Sequence, residues 1–363
     1  MSHRVPSRNH LFDALRGLAA VAVMLFHVTN IDRDPMLAGG YLAVDLFFLL
    51  SGFVLWNAYG ARLVEGLSAG AFLRIRLVRL YPMFAIGMAL GIVRALGAMH
   101  LGDPRAPTWP MLIVQTLATA LLIPSGVSDE GVFPLDNPAW SLSLEVIVNI
   151  AFCLWMVRRP DRMLGMLCVV VAFALVMVAL RFGSLDTGWK AANAIGGPIR
   201  CAFSFTLGVL MARRGIHAAH DPRSGRLLPY AILALVLAVI AFPPGAALRP
   251  WFDLACVMIV FPAIVALAAN ARMAGAGAWI ATVLGDMSYP LYAIHYPLIR
   301  PAMVLCARFH IGGGNAIVAI AGLCLASAAL LVPVDRVLRG WLGRRLQPCR
   351  PTTVFTSMKS ARP

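Results

Sequence analysis

Leu11 to Asn30, LFDALRGLAAVAVMLFHVTN, is apolar enough to enter a membrane and yet carries Arg16 and His27 inside it. An ionisable side chain in hydrocarbon costs several kcal/mol, and a chain that tolerates the cost usually has a use for the group. Eleven steps of ~100° end about 20° past three full turns, so the two side chains share one helix face. At ~1.5 Å per residue they lie ~16 Å apart along the axis, about half the hydrocarbon thickness. That face must look into protein or a wet cavity, not at lipid. Taken singly, Arg16 could snorkel from a helix end and His27 could be a hydrogen-bonded packing residue. The pair on one stripe favours function.

The rest of the chain agrees with a membrane setting. Its 363 residues are 60% hydrophobic and 13% charged, with mean hydropathy +0.80; soluble domains carry about 25% charge. The expected fold class is all-α: a polytopic membrane helix bundle of about ten transmembrane helices plus one short re-entrant or surface-packed helix. The net charge of +15 is no sign of a nucleic-acid partner, because the basic residues cluster in short loops between apolar spans, as the positive-inside rule predicts. The seven cysteines lack metal or redox spacing. Cys153, Cys168, Cys201, Cys256, Cys306 and Cys324 fall inside apolar spans and read as small packing residues, so no metal is expected.

The hydropathy pattern predicts spans at 11–30, 40–60, 82–99, 139–157, 163–181, 196–212, 227–244, 250–270, 285–306 and 314–334. With the N-terminus in the cytoplasm, Arg4, Arg8, Arg62, Arg74, Arg76, Arg79, Arg158, Arg159, Arg162, Arg213, Arg214, Arg223, Arg226, Arg272 and the tail from Arg336 to Arg362 all fall inside. Met111 to Ile123 is apolar but too short for an easy crossing. If it crossed, Arg158 and Arg159 would face outward, so it reads as re-entrant or surface-packed. The loop after it, Pro124 to Pro138, holds Asp129, Glu130 and Asp136 but no basic residue, which suits the external side. Residues 1–340 are expected to form one membrane domain and 341–363 a basic cytoplasmic tail.

Four further constellations could carry chemistry. Asp45 lies about one turn into the second span and could orient His27 and raise its basicity, or could cap its helix. Arg76 and Arg79 are i,i+3 and could form a fork for phosphate oxygens, or a lipid anchor. Glu145, after Trp140, Ser141 and Ser143, lies about two turns into its span and is expected in the same polar cavity as His27, or protonated against a neighbouring helix. Ser288, Tyr292 and His295 fall on one face at i, i+4 and i+7, as a polar channel lining or as inter-helix hydrogen bonds.

These segments, in this order, resemble the acyltransferase-3 family of integral membrane O-acyltransferases. The resemblance rests on Arg16 and His27 at the R-x10-H spacing, and on Gly40 to Phe53, similar to GxxGVDxFFxxSGF. It also rests on Arg76 and Arg79 ahead of Tyr81-Pro82, Trp140 to Glu145 (WSLSLE), Arg200 ahead of Phe205 and Gly208, and Ser288-Tyr289-x-x-Tyr292-x-x-His295-x-Pro297. It spans about residues 9 to 335. One departure is Ala43, where Gly is usual.

The resemblance implies transfer of an acyl group, usually acetyl, from cytoplasmic acyl-CoA as co-substrate, with no bound cofactor. The acceptor is a hydroxyl, commonly on a saccharide of a cell-surface polysaccharide or a glycolipid, alternatively on a small glycosylated natural product. His27 would act as general base, Asp45 or Glu145 would hold its ring, and Arg16 would neutralise charge along the donor path. Arg76, Arg79, Ser288, Tyr292 and His295 would bind donor, with Trp140 and Ser141 on the acceptor side. An acyl-enzyme at Ser141 or Ser143 is a second route. Buried Arg, His, Asp and Glu also suit a proton-coupled transporter in the membrane lipid, but such a protein needs no paired-arginine loop and commonly shows repeated halves, which this chain lacks.

Overall fold

The computed structural model describes residues 8–29, 36–125, 131–216 and 227–346. Arg4, Asp129, Glu130, Arg223, Arg226 and the tail beyond residue 346 lie outside the described residues. Among the described residues there is no strand. The helices are α1 (His10–Thr29), α2 (Gly40–Val64), α3 (Ala69–His100), α4 (Trp109–Ala120), α5 (Ala139–Leu154), α6 (Asp161–Phe182), α7 (Gly196–Arg213), α8 (Leu228–Ala241), α9 (Arg249–Asn270), α10 (Gly275–Arg308) and α11 (Gly313–Arg345). Every span expected from hydropathy has its helix, and α4 is the short extra one. The chain is an all-α polytopic membrane bundle.

Seven helices among the described residues are long and apolar enough to cross by themselves: α1, α2, α3, α5 with its following turn, α6, α9 and α11. The other three expected spans fall short for different reasons. The α8 helix has 14 residues. The α7 helix is buried along most of its length, so its side chains face protein and need not be apolar enough for lipid. The α10 helix is interrupted by Asp286, Ser288, three tyrosines and His295. At 12 residues, α4 rises only about 18 Å, well short of the hydrocarbon thickness.

One boundary differs from expectation. The span predicted at 82–99 is the second half of a 32-residue helix that starts at Ala69. Ser68 caps it, its side chain accepting from the Ala71 amide at 3.2 Å, and Pro82 sits in the helix interior. Arg76 and Arg79, expected as an i,i+3 pair on a cytoplasmic helical segment, therefore ride on the same helix that enters the bundle.

The helix α1 packs along α10, α2 packs on α7, and α10 also contacts α11 and α3. The α2–α7 contact is a backbone contact. A Cβ on Gly52 would stand 2.1 Å from the Phe205 carbonyl oxygen, and one on Gly208 would stand 2.2 Å from the Leu49 oxygen. Only glycine permits that approach. It gives a physical reason for the Ser51-Gly52-Phe53 run and for the spacing from Arg200 to Gly208. The six described cysteines are buried and unbridged, as the packing reading expects.

Candidate active site

The shared face of α1 opens on two cavities. Arg16 lines one, with Arg76, Arg79, Ser51, Glu145, Ser288 and Tyr289 among its polar neighbours. His27 lines the other, with Tyr41, Asn137, Trp140, Asp186, Trp189, Arg200 and Tyr296. Val44 and Tyr292 line both, so the cavities meet at those two side chains. Two further clefts, one lined by Arg8, Asn57 and Arg272 and one by Arg79, Arg336 and Arg339, also reach Arg16.

His27 is held by another histidine. Its Nδ1 lies 3.0 Å from His295 Nε2. His295 Nδ1 faces the Leu291 and Tyr292 carbonyls at 3.0 and 2.9 Å. Carbonyls only accept, so His295 Nδ1 carries the proton and, in the neutral ring, Nε2 is the acceptor. His27 Nδ1 must then donate, which leaves the lone pair on His27 Nε2. No side-chain partner is seen for that nitrogen among the described residues, and the ring also bonds the Val23 carbonyl one turn back on α1. The arrangement sets the His27 tautomer and presents a base to the cavity.

This corrects the expectation that Asp45 or Glu145 orients His27. Asp45 faces α7, where Arg200 takes both its carboxylate oxygens, Nη2 to Oδ2 at 2.6 Å and Nε to each oxygen at 3.2 Å. The same guanidinium donates to the Thr187 and Tyr41 carbonyls at 2.7 and 2.8 Å and lies over the Trp140 ring. Arg200 and Asp45 are both about 1% exposed. With its donors engaged in this way, the pair is a clamp between α2, α7 and the loop before α7.

Glu145 lies in the Arg16 cavity, not the His27 one. It accepts from Arg76 Nη2 at 2.7 Å and from Ser51 Oγ at 3.3 Å. Arg76 is consequently buried and paired, rather than free for phosphate. Arg16 and Arg79 have no hydrogen bond or ion pair among the described residues, so the cavity wall presents two guanidiniums with unengaged N–H groups, with Asp13 and Asp335 as neighbours in the adjoining cleft. His295, expected on the donor path, stands at the His27 end instead. The i, i+4, i+7 stripe is real: Ser288 lines the Arg16 cavity, Tyr292 the junction, and His295 supports the far end. Trp140 lines the His27 cavity and Ser141 the Arg16 cavity.

Several residues that frame the His27 cavity were not anticipated as site residues. Tyr41 Oη donates to Asp253 Oδ2 at 2.8 Å, and the same carboxylate accepts the Leu185 amide at 2.8 Å. These bonds tie the start of α2 and the 183–195 loop to α9. Trp189 Nε1 donates to Asp186 Oδ1 at 3.1 Å in that loop, and burial raises the Asp186 carboxyl above the usual carboxylate range. Arg200 and Asp253 each stand inside a predicted apolar span, which was the available signal.

The comparisons agree with this architecture. The acyltransferase domain family matches residues 9–334. Protein 2 in the picA locus of Rhizobium radiobacter is 37% identical over 193 residues, 50% of this chain and 100% of that protein. Acyltransferase MdmB of Streptomyces mycarofaciens is 29% identical over 302 residues, 77% of this chain and 71% of that protein. No solved structure matches. The chain belongs to the acyltransferase-3 family and is an integral membrane enzyme that transfers acyl groups.

Proposed function

We propose that the enzyme moves an acetyl group from acetyl-CoA, entering from the cytoplasm, to a hydroxyl of a sugar in a cell-surface polysaccharide or glycolipid. The observation that carries the donor reading is a match of lengths. Arg16 and His27 lie ~16 Å apart along α1. In coenzyme A, thirteen bonds separate the thioester sulfur from the nearest phosphorus, and at the rise per bond of an extended chain this is about 15 Å. A diphosphate at Arg16 and Arg79 therefore sets the thioester beside His27. The cavity between is lined by apolar side chains and hydroxyls, among them Phe47, Phe48, Leu142, Ser51 and Ser288, which suits an arm with two amides and a dimethyl carbon.

His27 Nε2 takes the proton of the acceptor hydroxyl as its oxygen attacks the thioester carbonyl. The imidazolium that forms donates from Nδ1 to His295, whose own N–H points at two helix carbonyls. Collapse of the tetrahedral species expels the thiolate, which recovers the proton from His27 Nε2. Arg16 and Arg79 bind the donor phosphates, and each charge-assisted contact contributes roughly 1.5–3 kcal/mol. Arg76 holds Glu145, which offsets its charge. The setting proposed with it is a bacterial plasma membrane with both termini cytoplasmic; the placement of the basic loops supports the orientation.

The test has two arms. Purified protein in lipid nanodiscs is titrated with acetyl-CoA, and cell-surface glycans are compared by mass spectrometry with and without the protein. Saturable donor binding weakened in Arg16→Ala, together with an acetyl group lost from a surface glycan, is the expected result. Unchanged glycans with no acetyl-CoA binding would overturn it.

A further inference from the structure

The search for groups that the base and the arginines leave unexplained ends at the junction between the two cavities. Tyr292 Oη and Ser141 Oγ lie 2.6 Å apart there, both buried. Counting protons fixes the direction of the bond. Ser141 Oγ is 3.0 Å from the Pro138 carbonyl oxygen, which can only accept, so the single serine proton goes to Pro138. The contact with Tyr292 is then donated by the tyrosine. Among the other hydroxyls of the Arg16 cavity, Tyr289 donates to the Leu80 carbonyl, Ser288 to the Gly285 carbonyl and Ser51 to Glu145. The Tyr292 hydroxyl alone of these rests on an acceptor that is itself a side-chain hydroxyl, and it stands where both cavities meet.

The same tyrosine is coupled to the base. Its backbone carbonyl accepts from His295 Nδ1, and its ring centroid lies 5.9 Å from that of His295, which is 5.1 Å from His27. We propose that the Tyr292 hydroxyl donates to the thioester oxygen during transfer and that Ser141 is its resting acceptor. The inference rests on the acyl-thioester reading above. As the acceptor oxygen bonds to the carbonyl carbon, the C=O π pair moves onto oxygen, and Tyr292 leaves Ser141 to donate to that oxyanion. When the C=O re-forms, the C–S bond breaks and the thiolate takes the His27 proton. The phenol keeps its proton throughout and returns to Ser141.

Tyr292→Phe removes one hydroxyl and keeps the ring against Phe47. Loss of one oxyanion donor lowers kcat by about 10²–10³-fold, and the donor KM is expected to move by less than threefold. Ser141→Ala removes only the resting acceptor and is expected to lose less than tenfold. A Tyr292→Phe kcat within threefold of the wild type overturns the inference, as does the reverse order with Ser141→Ala inactive, which would mark Ser141 as the acylated nucleophile. If the phenylalanine variant fails to fold, 3-fluorotyrosine at position 292 strengthens the donor without changing the shape, and an unaltered kcat overturns the inference equally. Wild-type protein that neither binds acetyl-CoA nor turns it over would instead defeat the donor reading.

Discussion

His295→Leu isolates the part of the site that sequence alone did not place. The substitution removes the acceptor for His27 Nδ1–H, now 3.0 Å away, and fills the space with an apolar side chain of similar bulk. The Leu291 and Tyr292 carbonyls that bonded His295 also serve the α10 helix ladder, so they are not orphaned. The loss therefore falls on His27. At rest it is one neutral hydrogen bond; in the transition state it is a bond from an imidazolium, worth roughly 1.5–3 kcal/mol. The neutral bond, roughly 0.5–1.5 kcal/mol, is lost at rest as well, so only the difference of about 1–1.5 kcal/mol slows the step, and at 1.36 kcal/mol per decade this is about a 5- to 13-fold fall in kcat. Acetyl-CoA affinity should not change, because Arg16 and Arg79 line the other cavity.

The assay is single-turnover acetyl transfer in nanodiscs at saturating donor, with binding measured in parallel. His295→Gln is the companion variant. Its amide oxygen can stand near the place of Nε2 and accept from His27, so it should recover part of the rate that leucine loses. A His295→Leu enzyme within threefold of wild type would show that His27 needs no partner and refute the relay. A fall in which the donor KM carries the whole effect would refute it as well, since that would mark His295 as a donor contact.

Three other perturbations test the remaining parts. His27→Gln keeps hydrogen bonding but takes no proton, so kcat should fall by about 10²–10⁴-fold with acetyl-CoA binding retained; near-normal turnover would make the α1 stripe structural. Asp45→Ala leaves the Arg200 guanidinium buried without its carboxylate, at a cost of about 3–5 kcal/mol, and should sharply lower the melting temperature in detergent; unchanged stability with lost activity would return Asp45 to the catalytic machinery. Single cysteines replacing Asp103 and Ser125 in a cysteine-free background should label from the same side, and Pro160→Cys from the opposite side; labelling of positions 103 and 125 from different sides would mean that α4 crosses.

Much of the fold was legible because a bilayer leaves few choices. Spans follow from runs of apolar residues, and each predicted run has a helix. The exception in length was α3: the helical segment with Arg74, Arg76 and Arg79, which a capping serine begins, runs on through Pro82 into the predicted span instead of standing apart from it. The site was legible as a set of residues but not as a set of pairs. Arg16 and His27 on one face follow from helix geometry. That Asp45 meets Arg200 does not, since it depends on α2 turning that face to α7, which Gly52 and Gly208 permit by backbone contact. Arg200 was visible as a cation inside an apolar span. It required a buried carboxylate, but Asp45, Glu145 and Asp253 all stand inside predicted spans and could each have met that need, so the sequence did not assign the pair.

The pairing that results has an electrostatic logic. A carboxylate beside His27 in a water-poor cavity would favour the imidazolium before substrate arrives, and a protonated base removes no proton. A neutral histidine avoids this. With both rings neutral, the hydrogen bonds of the His27–His295 pair run from His27 to His295 to two carbonyl dipoles, the direction needed when His27 becomes positive. The charges that the bundle does contain are spent elsewhere: Asp45 is neutralised by Arg200, and Glu145 by Arg76. In the Arg16 cavity the groups left without a hydrogen bond or ion pair among the described residues are Arg16 and Arg79. On the proposed reading, an anionic donor fills the Arg16 cavity without placing its charge against His27, and the two ends of the α1 stripe serve opposite ends of one substrate.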